Sequence, residues 1–327
     1  MLPFCPFPLL AHHHLQTVVA SQVNLTTAPP SSTRLVTLED GDRIALEVSV
    51  PTGWQPDAPT VLMVHGLCGC HGSPYMVRMA NKLYRLGMRV VRMNMRGCGS
   101  GKGLARQPYH SGRSEDVLAA LEALYHDTPM SSTTLVGFSL GGNVVLKLAG
   151  DLQTQAARYV QQVVAVCPPV DLAACVWRLA QPSNRLYEWY FVRRLRAAVS
   201  ERQALFPDVP TVALPATLSL YAFDNLYTAP QCGFQDADDY YRRCSAAPVM
   251  PHITVPCRIL FADDDPFIDA SVLQKADLPS HIQLVHTARG GHLGFLGIPG
   301  YAGGFRWMDH LLVQWIRSCD CTHTMRL

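Results

Sequence analysis

The sequence predicts an α/β fold: a mostly parallel central sheet flanked by helices, with an inserted helical lid. Three observations carry that prediction. Short apolar runs of strand length alternate with amphipathic segments of helical period, the pattern of a sheet covered on both faces. The alternation stops over residues 171–250, where aromatics and arginines dominate and no strand pattern is clear, and it resumes near residue 257. A gap of that length is too long for a connector and reads as an inserted helical unit. Finally, Thr133-Thr134-Leu135-Val136 leads into Gly137-Phe138-Ser139-Leu140-Gly141 and then Val144-Val145-Leu146-Lys147-Leu148, a strand, a sharp turn and a helix. The chain is therefore expected to be a single domain over residues 1–327 with the lid, 171–250, inserted in it.

The elements follow in order. Residues 34–38 and 43–50, about the turn Glu39-Asp40-Gly41-Asp42, read as a β-hairpin. Thr60–Val64 is a buried strand ending at His65-Gly66. Pro74–Leu86 is amphipathic and is closed by Gly87. Met88–Met93 is a second buried strand, followed by a loop over Asn94–Arg106. Ser114 is placed as the N-cap of a helix with Val117, Leu118, Leu121 and Leu124 on one face. Strands are expected at Leu135-Val136, Gln162–Val166, Cys257–Phe261 and Ile282–Val285. The last helix pairs Trp307/Met308, Leu311/Leu312 and Trp315/Ile316 at four-residue spacing, a core face.

Composition narrows the function classes. The chain has 327 residues, 48% hydrophobic and 16% charged, enough for a large core. A formal charge of +2 argues against a nucleic-acid partner. Its 11 cysteines are scattered, without the spacing of a disulfide framework, which points to a reducing, cytoplasmic setting. Cys68-x-Cys70 and Cys319-x-Cys321 lack the two-residue gap of a zinc knuckle, so no metal is expected. The N-terminus is apolar but proline-rich and without a positive segment, a poor signal peptide. No apolar run approaches the ~20 residues of a membrane span.

Ser139 is the centre of the chemistry. A serine on a tight strand-to-helix turn presents its hydroxyl outward, and the helix starting there aims unpaired N–H groups at the same point. Such a nucleophile needs a base and a carboxylate to orient it. In a parallel sheet, functional groups gather at the carboxyl ends of strands. Asp265 follows the strand at 257–261, and His292, flanked by glycines, follows the strand at 282–285. Asp264 is the alternative carboxylate within Asp263-Asp264-Asp265. The N–H groups of Leu67, after His65-Gly66, and of Leu140 are the expected oxyanion hole. His65 is read as structural and Arg96 as a loop-fixing donor. Trp177, Tyr187, Trp189, Tyr190 and Phe191 are candidates to line an acyl pocket under the lid, although aromatics at helical spacing also serve as lid core. Arg193, Arg194 and Arg196 suit an anionic head group, peripheral membrane contact, or plain solvation.

Further motifs run nearly end to end: His14-Leu15-Gln16-Thr17, His65-Gly66-Leu67 with Ser73-Pro74-Tyr75, Arg96-Gly97-Cys98, and Tyr109-His110-Ser111-Gly112 with Glu115-Asp116. Beyond the serine turn come Phe223-Asp224, Thr228-Ala229-Pro230, Gly233-Phe234, Asp239-Tyr240-Tyr241-Arg242-Arg243, Asp264-Asp265-Pro266-Phe267 and Gly290-Gly291-His292-Leu293-Gly294-Phe295. In these the chain resembles the YheT-like branch of the α/β-hydrolases, the group with the mammalian abhydrolase-domain lipases and the yeast medium-chain ester synthases. The resemblance implies the α/β-hydrolase fold, a Ser139–Asp265–His292 triad and acyl-ester chemistry. The chain departs from the pattern at His13, where proline is expected, and at Cys68-Gly69-Cys70-His71, where an acidic, serine-rich stretch is expected. Neither departure touches the triad.

The expected activity is that of a serine carboxylesterase or lipase acting on a small-molecule acyl ester or lipid through an acyl-enzyme on Ser139. No cofactor is needed. An acyltransferase would use the same acyl-enzyme and pass it to an alcohol. A non-catalytic lipid- or ligand-binding protein on the same fold is a third reading, and the intact serine, aspartate and histidine argue against it.

Overall fold

A computed structural model describes residues 3–23, 26–301 and 303–320, without the side chains of 319 and 320, so Met1, Leu2 and the Cys319-x-Cys321 pair lie outside the description. Eight strands form one sheet: β1 (Ser32–Thr37), β2 (Arg43–Ser49), β3 (Thr60–Val64), β4 (Arg89–Asn94), β5 (Thr133–Phe138), β6 (Gln162–Val166), β7 (Cys257–Ala262) and β8 (Ile282–Thr287). Their order is β1-β2-β4-β3-β5-β6-β7-β8. β2 is antiparallel to β1 and β4, and every later pairing is parallel.

Helices cover both faces. They are α1 (His13–Gln22), α2 (Pro74–Arg85), α3 (Ser114–Asp127), α4 (Leu140–Leu152), α5 (Leu172–Leu179), α6 (Arg185–Leu205), α7 (Ala237–Cys244) and α8 (Trp307–Asp320), with shorter helical turns between. β3, β5 and β6 are buried at every position, so their sequences are apolar runs rather than alternations. Successive side chains along a strand point to opposite faces, so the sheet separates two cores. Leu62, Val64, Leu121, Leu135 and Val145 pack on one side. Val61, Met63, Met79, Val136 and Trp315 pack on the other.

The α/β-hydrolase fold is borne out, with three local corrections. Ser114 is the first helical residue of α3, not its cap. The cap position belongs to Arg113, which makes no side-chain cap bond, and the Ser114 N–H reaches back to the Gly112 carbonyl at 2.7 Å. The hairpin strands begin or end one or two residues from their expected bounds. Helix α1 has no counterpart among the expected elements. Its apolar pattern is weak, and it holds its place through buried polar residues, Gln16 and Thr17.

Parallel register brings the functional loops together. Val64 pairs with Gly137 across β3 and β5, so His65-Gly66-Leu67 leaves the sheet beside Ser139. Val166 pairs with Phe138 and with Leu260, and Ala262 with Thr287, so the carboxyl ends of β5, β6, β7 and β8 are also neighbours. Between β6 and β7 the chain forms α5, α6, α7 and shorter helical turns, and no strand lies among them. Among the described residues, no helix is long and apolar enough to cross a membrane.

Candidate active site

Ser139 sits between β5 and α4 at φ 52° and ψ −121°, a conformation that strains a residue with a side chain. Two close approaches make the turn possible. A Cβ at Gly137 would overlap the Gly141 carbonyl, and one at Gly141 would overlap the Val64 carbonyl. Glycine at both positions lets β5 and α4 fold tightly about the serine.

The Ser139 Oγ lies 2.8 Å from His292 Nε2, and His292 Nδ1 lies 2.8 Å from Asp265 Oδ2. The other carboxylate oxygen, Oδ1, accepts N–H bonds from Phe267 (2.8 Å) and Ile268 (3.1 Å). Asp265 has no solvent exposure and His292 only 7%. The Asp265 carbonyl is held by the Arg178 guanidinium from α5, at 3.1 and 3.3 Å, and Asn184 donates to the next carbonyl, that of Pro266, at 2.8 Å. The helical segment between β6 and β7 therefore braces the carboxylate loop. Asp264, the alternative carboxylate, instead accepts the Gly291 N–H at 2.9 Å, and Asp263 meets His286.

Leu67 and Leu140 both line the cavity that contains Ser139 and His292. On either side of Leu67 the backbone is tied down: the Gly66 N–H donates to the Tyr75 hydroxyl (2.8 Å) and the Cys68 N–H to the Tyr109 hydroxyl (3.1 Å). Among the described residues, no acceptor meets the Leu67 N–H. Leu140 opens α4, where an N–H has no partner within the helix. His65 is fully buried. Its Nδ1 lies 2.8 Å from the Gly66 carbonyl and its Nε2 accepts the Met95 N–H at 3.1 Å, which fixes a neutral tautomer. Burial pushes its pKa down to about 4. Arg96 is likewise a loop fastener, surrounded by Asp40, Asp42 and Asp116.

The aromatics of residues 171–250 divide. Of the five candidates, only Phe191 lines the Ser139 cavity. Trp177 and Trp189 are 56% and 60% exposed. Tyr190 lines a neighbouring cavity. Tyr187 packs edge-on against Phe267, with centroids 4.7 Å apart, and its hydroxyl meets His14 Nδ1 at 3.0 Å. Helical geometry explains the split, since Tyr187, Phe191 and Leu195 recur every four residues and face inward, while Trp189 and Tyr190 turn away. The rest of the lining mixes aliphatic side chains, Leu172, Val176, Leu179 and Leu220 among them, with polar and aromatic ones such as His110, Asp224 and Tyr240, around a cavity of about 80 Å³.

Sequence reasoning missed the contribution of α1. The Thr17 hydroxyl donates to the His13 carbonyl (2.8 Å) and accepts the His292 N–H (2.9 Å). Buried Gln16 bonds both the N–H (2.7 Å) and the carbonyl (3.1 Å) of Leu296. The loop approaches α1 so closely that a Cβ at Gly294 would strike Gln16. The available signal was His14-Leu15-Gln16-Thr17 itself, whose Gln16 and Thr17 stand between apolar Leu15 and Val18.

Cys167, at the end of β6, belongs to the one group with metal-ligand spacing among the described residues. Its sulfur, an Asp265 oxygen and a His292 nitrogen lie within 4.8 Å of one another. Thiolate, not thiol, binds metal, and burial beside Asp265 pushes the Cys167 pKa well up. With His292 and Asp265 already bonded to each other, these three groups make a poor ligand set.

Comparison with known proteins agrees with this geometry. A family model described as alpha/beta hydrolase fold matches residues 59–297. YheT of Escherichia coli (strain K12), named as an esterase, is 34% identical over 96% of this chain and 93% of its own. Phospholipase ABHD3 of Mus musculus is 27% identical over 90% of this chain and 74% of its own. The crystal structure of the alpha/beta hydrolase GrgF from Penicillium sp. sh18 superposes with a TM-score of 0.60 at 17% identity, covering 89% of this chain and 98% of that one, a likeness of fold. The chain belongs to the α/β-hydrolases, in their YheT-like branch of esterases and lipases.

Proposed function

We propose that this hydrolase is a serine carboxylesterase or lipase that cleaves acyl esters through an acyl-enzyme on Ser139. The observation that carries the reading is the unbroken chain of two 2.8 Å contacts from Ser139 through His292 to buried Asp265. His292 Nε2 takes the hydroxyl proton as Ser139 Oγ attacks the ester carbonyl. Asp265 holds Nδ1 protonated and stabilises the imidazolium. The Leu67 and Leu140 N–H groups receive the oxyanion. His292 then gives its proton to the leaving alcohol, and later draws one from the water that releases the acid. The insertion acts as a lid, and its aliphatic side chains Leu172, Val176, Leu179 and Leu220 take the acyl chain.

The names of the relatives, an esterase and a phospholipase, favour an ester or lipid substrate. Hydrolysis of p-nitrophenyl esters from acetate to palmitate tests the reading. Wild type is expected to turn over the shorter chains best, as the small cavity requires, and Ser139→Ala to lose roughly 10⁴-fold or more of kcat. Turnover that survives in Ser139→Ala would overturn it.

A further inference from the structure

Motifs with no part in the triad meet in the wall of the Ser139 cavity. Tyr109-His110-Ser111-Gly112, Phe223-Asp224 and Asp239-Tyr240-Tyr241 supply His110, Asp224 and Tyr241 to the lining that also holds Ser139 and His292. Asp224 is 8% exposed and opens a π-helical turn, Asp224–Thr228, a widened form of helix that recurs at functional sites. Its Oδ1 accepts the Thr228 hydroxyl (2.6 Å) and its Oδ2 the Tyr241 hydroxyl (2.7 Å). Among the described residues, no further donor and no cation meets it. A carboxylate offers about four acceptor places, so about two stay open. Burying that charge without a counter-charge is costly, and burial pushes the Asp224 pKa up to about 6. His110 has the opposite capacity. Its Nδ1 accepts the Gly112 N–H at 3.1 Å, which leaves the ring proton on Nε2. Burial and the charge of Arg113 push its pKa down to about 3, so the ring stays neutral. Among the described residues, its Nε2 meets no hydrogen-bond partner. Tyr240 links the two, its ring edge-on to His110 and 5.1 Å from that of Tyr241.

The cavity beside the nucleophile therefore carries an open acceptor and an open donor among its aliphatic side chains. We infer that it takes an acyl group bearing a hydroxyl, held through its O–H by the Asp224 carboxylate and through its oxygen by the His110 Nε2–H. A hydroxyl both donates and accepts, so it satisfies both groups. A plain alkyl chain satisfies neither. An ammonium group satisfies Asp224 but has no acceptor for His110. The inference rests on the esterase reading for its chemistry and names the acyl half of its substrate. The ester C–O bond breaks, the leaving alcohol takes the proton from His292, water supplies hydroxyl to the acyl carbon, and the hydroxyl on the chain stays unchanged.

Binding and turnover test it separately. Calorimetry on Ser139→Ala compares methyl hexanoate with methyl 3-hydroxyhexanoate and methyl 6-hydroxyhexanoate. One hydroxy ester or both should bind about tenfold or more tighter than the plain ester, the scale of a hydrogen bond to a charged group. That advantage should fall toward one when Asp224→Asn or His110→Asn is added. His110→Asn keeps an acceptor for the Gly112 N–H, so it decides the matter if Asp224→Asn does not fold. No advantage for either hydroxy ester, or an advantage indifferent to these substitutions in folded protein, would overturn the inference. Methyl 6-aminohexanoate binding more tightly than both hydroxy esters would overturn it too, as the mark of a cation site. In the active protein, kcat/KM for the better hydroxy ester should exceed that for methyl hexanoate about tenfold, and a ratio near one would contradict the inference. If no ester turns over, the esterase reading fails, and the calorimetry still decides the cavity.

Discussion

Asp264 and Asp265 are adjacent in sequence and meet different partners, one a backbone N–H of the histidine loop and the other the histidine ring. Removing one charge from each should therefore have unequal effects. Asp265→Asn can donate where Nδ1 needs an acceptor, so it favours the wrong tautomer and is expected to lower kcat by roughly 10⁴-fold. Asp264→Asn keeps an oxygen for the Gly291 N–H, so its kcat is expected to stay within about tenfold of wild type. Comparing kcat of the two variants on one p-nitrophenyl ester checks both, and equal losses would contradict the assignment. Asp265 was legible because it follows a strand end and precedes a histidine after the next strand. The bracing by Arg178 and Asn184 was not legible, since each reaches more than eighty residues along the chain.

Helix α1 straps the histidine loop from the other end of the sequence. Thr17→Val keeps the shape but leaves the buried His292 N–H without an acceptor, a cost of about 1–3 kcal/mol. Esterase kcat is expected to fall roughly tenfold, with Thr17→Ser restoring most of it. Activity kept in Thr17→Val and lost in Thr17→Ser would show that methyl packing, not the hydroxyl, sets the loop. The strap escaped the sequence reading because its length and weak apolar period give little sign of a helix, and its contacts span more than 270 residues. Helix α6 shows the complementary difficulty. Its aromatic content was plain, but which aromatics face the cavity depends on the rotation of the helix, which Tyr187, Phe191 and Leu195 fix by packing inward.

Across the whole molecule, buried ionisable groups couple stability to pH in opposite directions. His65 has its pKa lowered from 6.5 to about 4. Between those values the unfolded chain binds a proton that the native ring refuses. Its contribution is therefore present above pH 6.5 and lost as pH falls toward 4, about 2 kcal/mol between pH 7 and pH 5. Asp224, bonded to Thr228 and Tyr241, has its pKa raised from 3.8 to about 6 by burial. Its burial disfavours the native state above pH 6, and that penalty shrinks as pH falls. Urea unfolding of wild type and His65→Asn at pH 7 and pH 5 separates the two, because only wild type carries the histidine. The variant should lose about 2 kcal/mol less on acidification, and equal losses would show that His65 is not held neutral.

The sheet was the most legible part of the chain, since fully buried parallel strands write themselves as apolar runs and their carboxyl ends gather Ser139, Asp265, His292 and Leu67. The layout of the cavities was not legible, because it depends on contacts between residues far apart in the chain, such as Arg96 with Asp40 and Arg194 with the Cys68 carbonyl. The central claim concerns one covalent bond. Acid quenching of the protein during turnover of p-nitrophenyl butyrate, followed by peptide mass analysis, tests it most directly. A butyryl group on the peptide containing Ser139, absent in Ser139→Ala, is the expected result. Turnover with that peptide unmodified, or with the acyl group on another residue, would contradict the account.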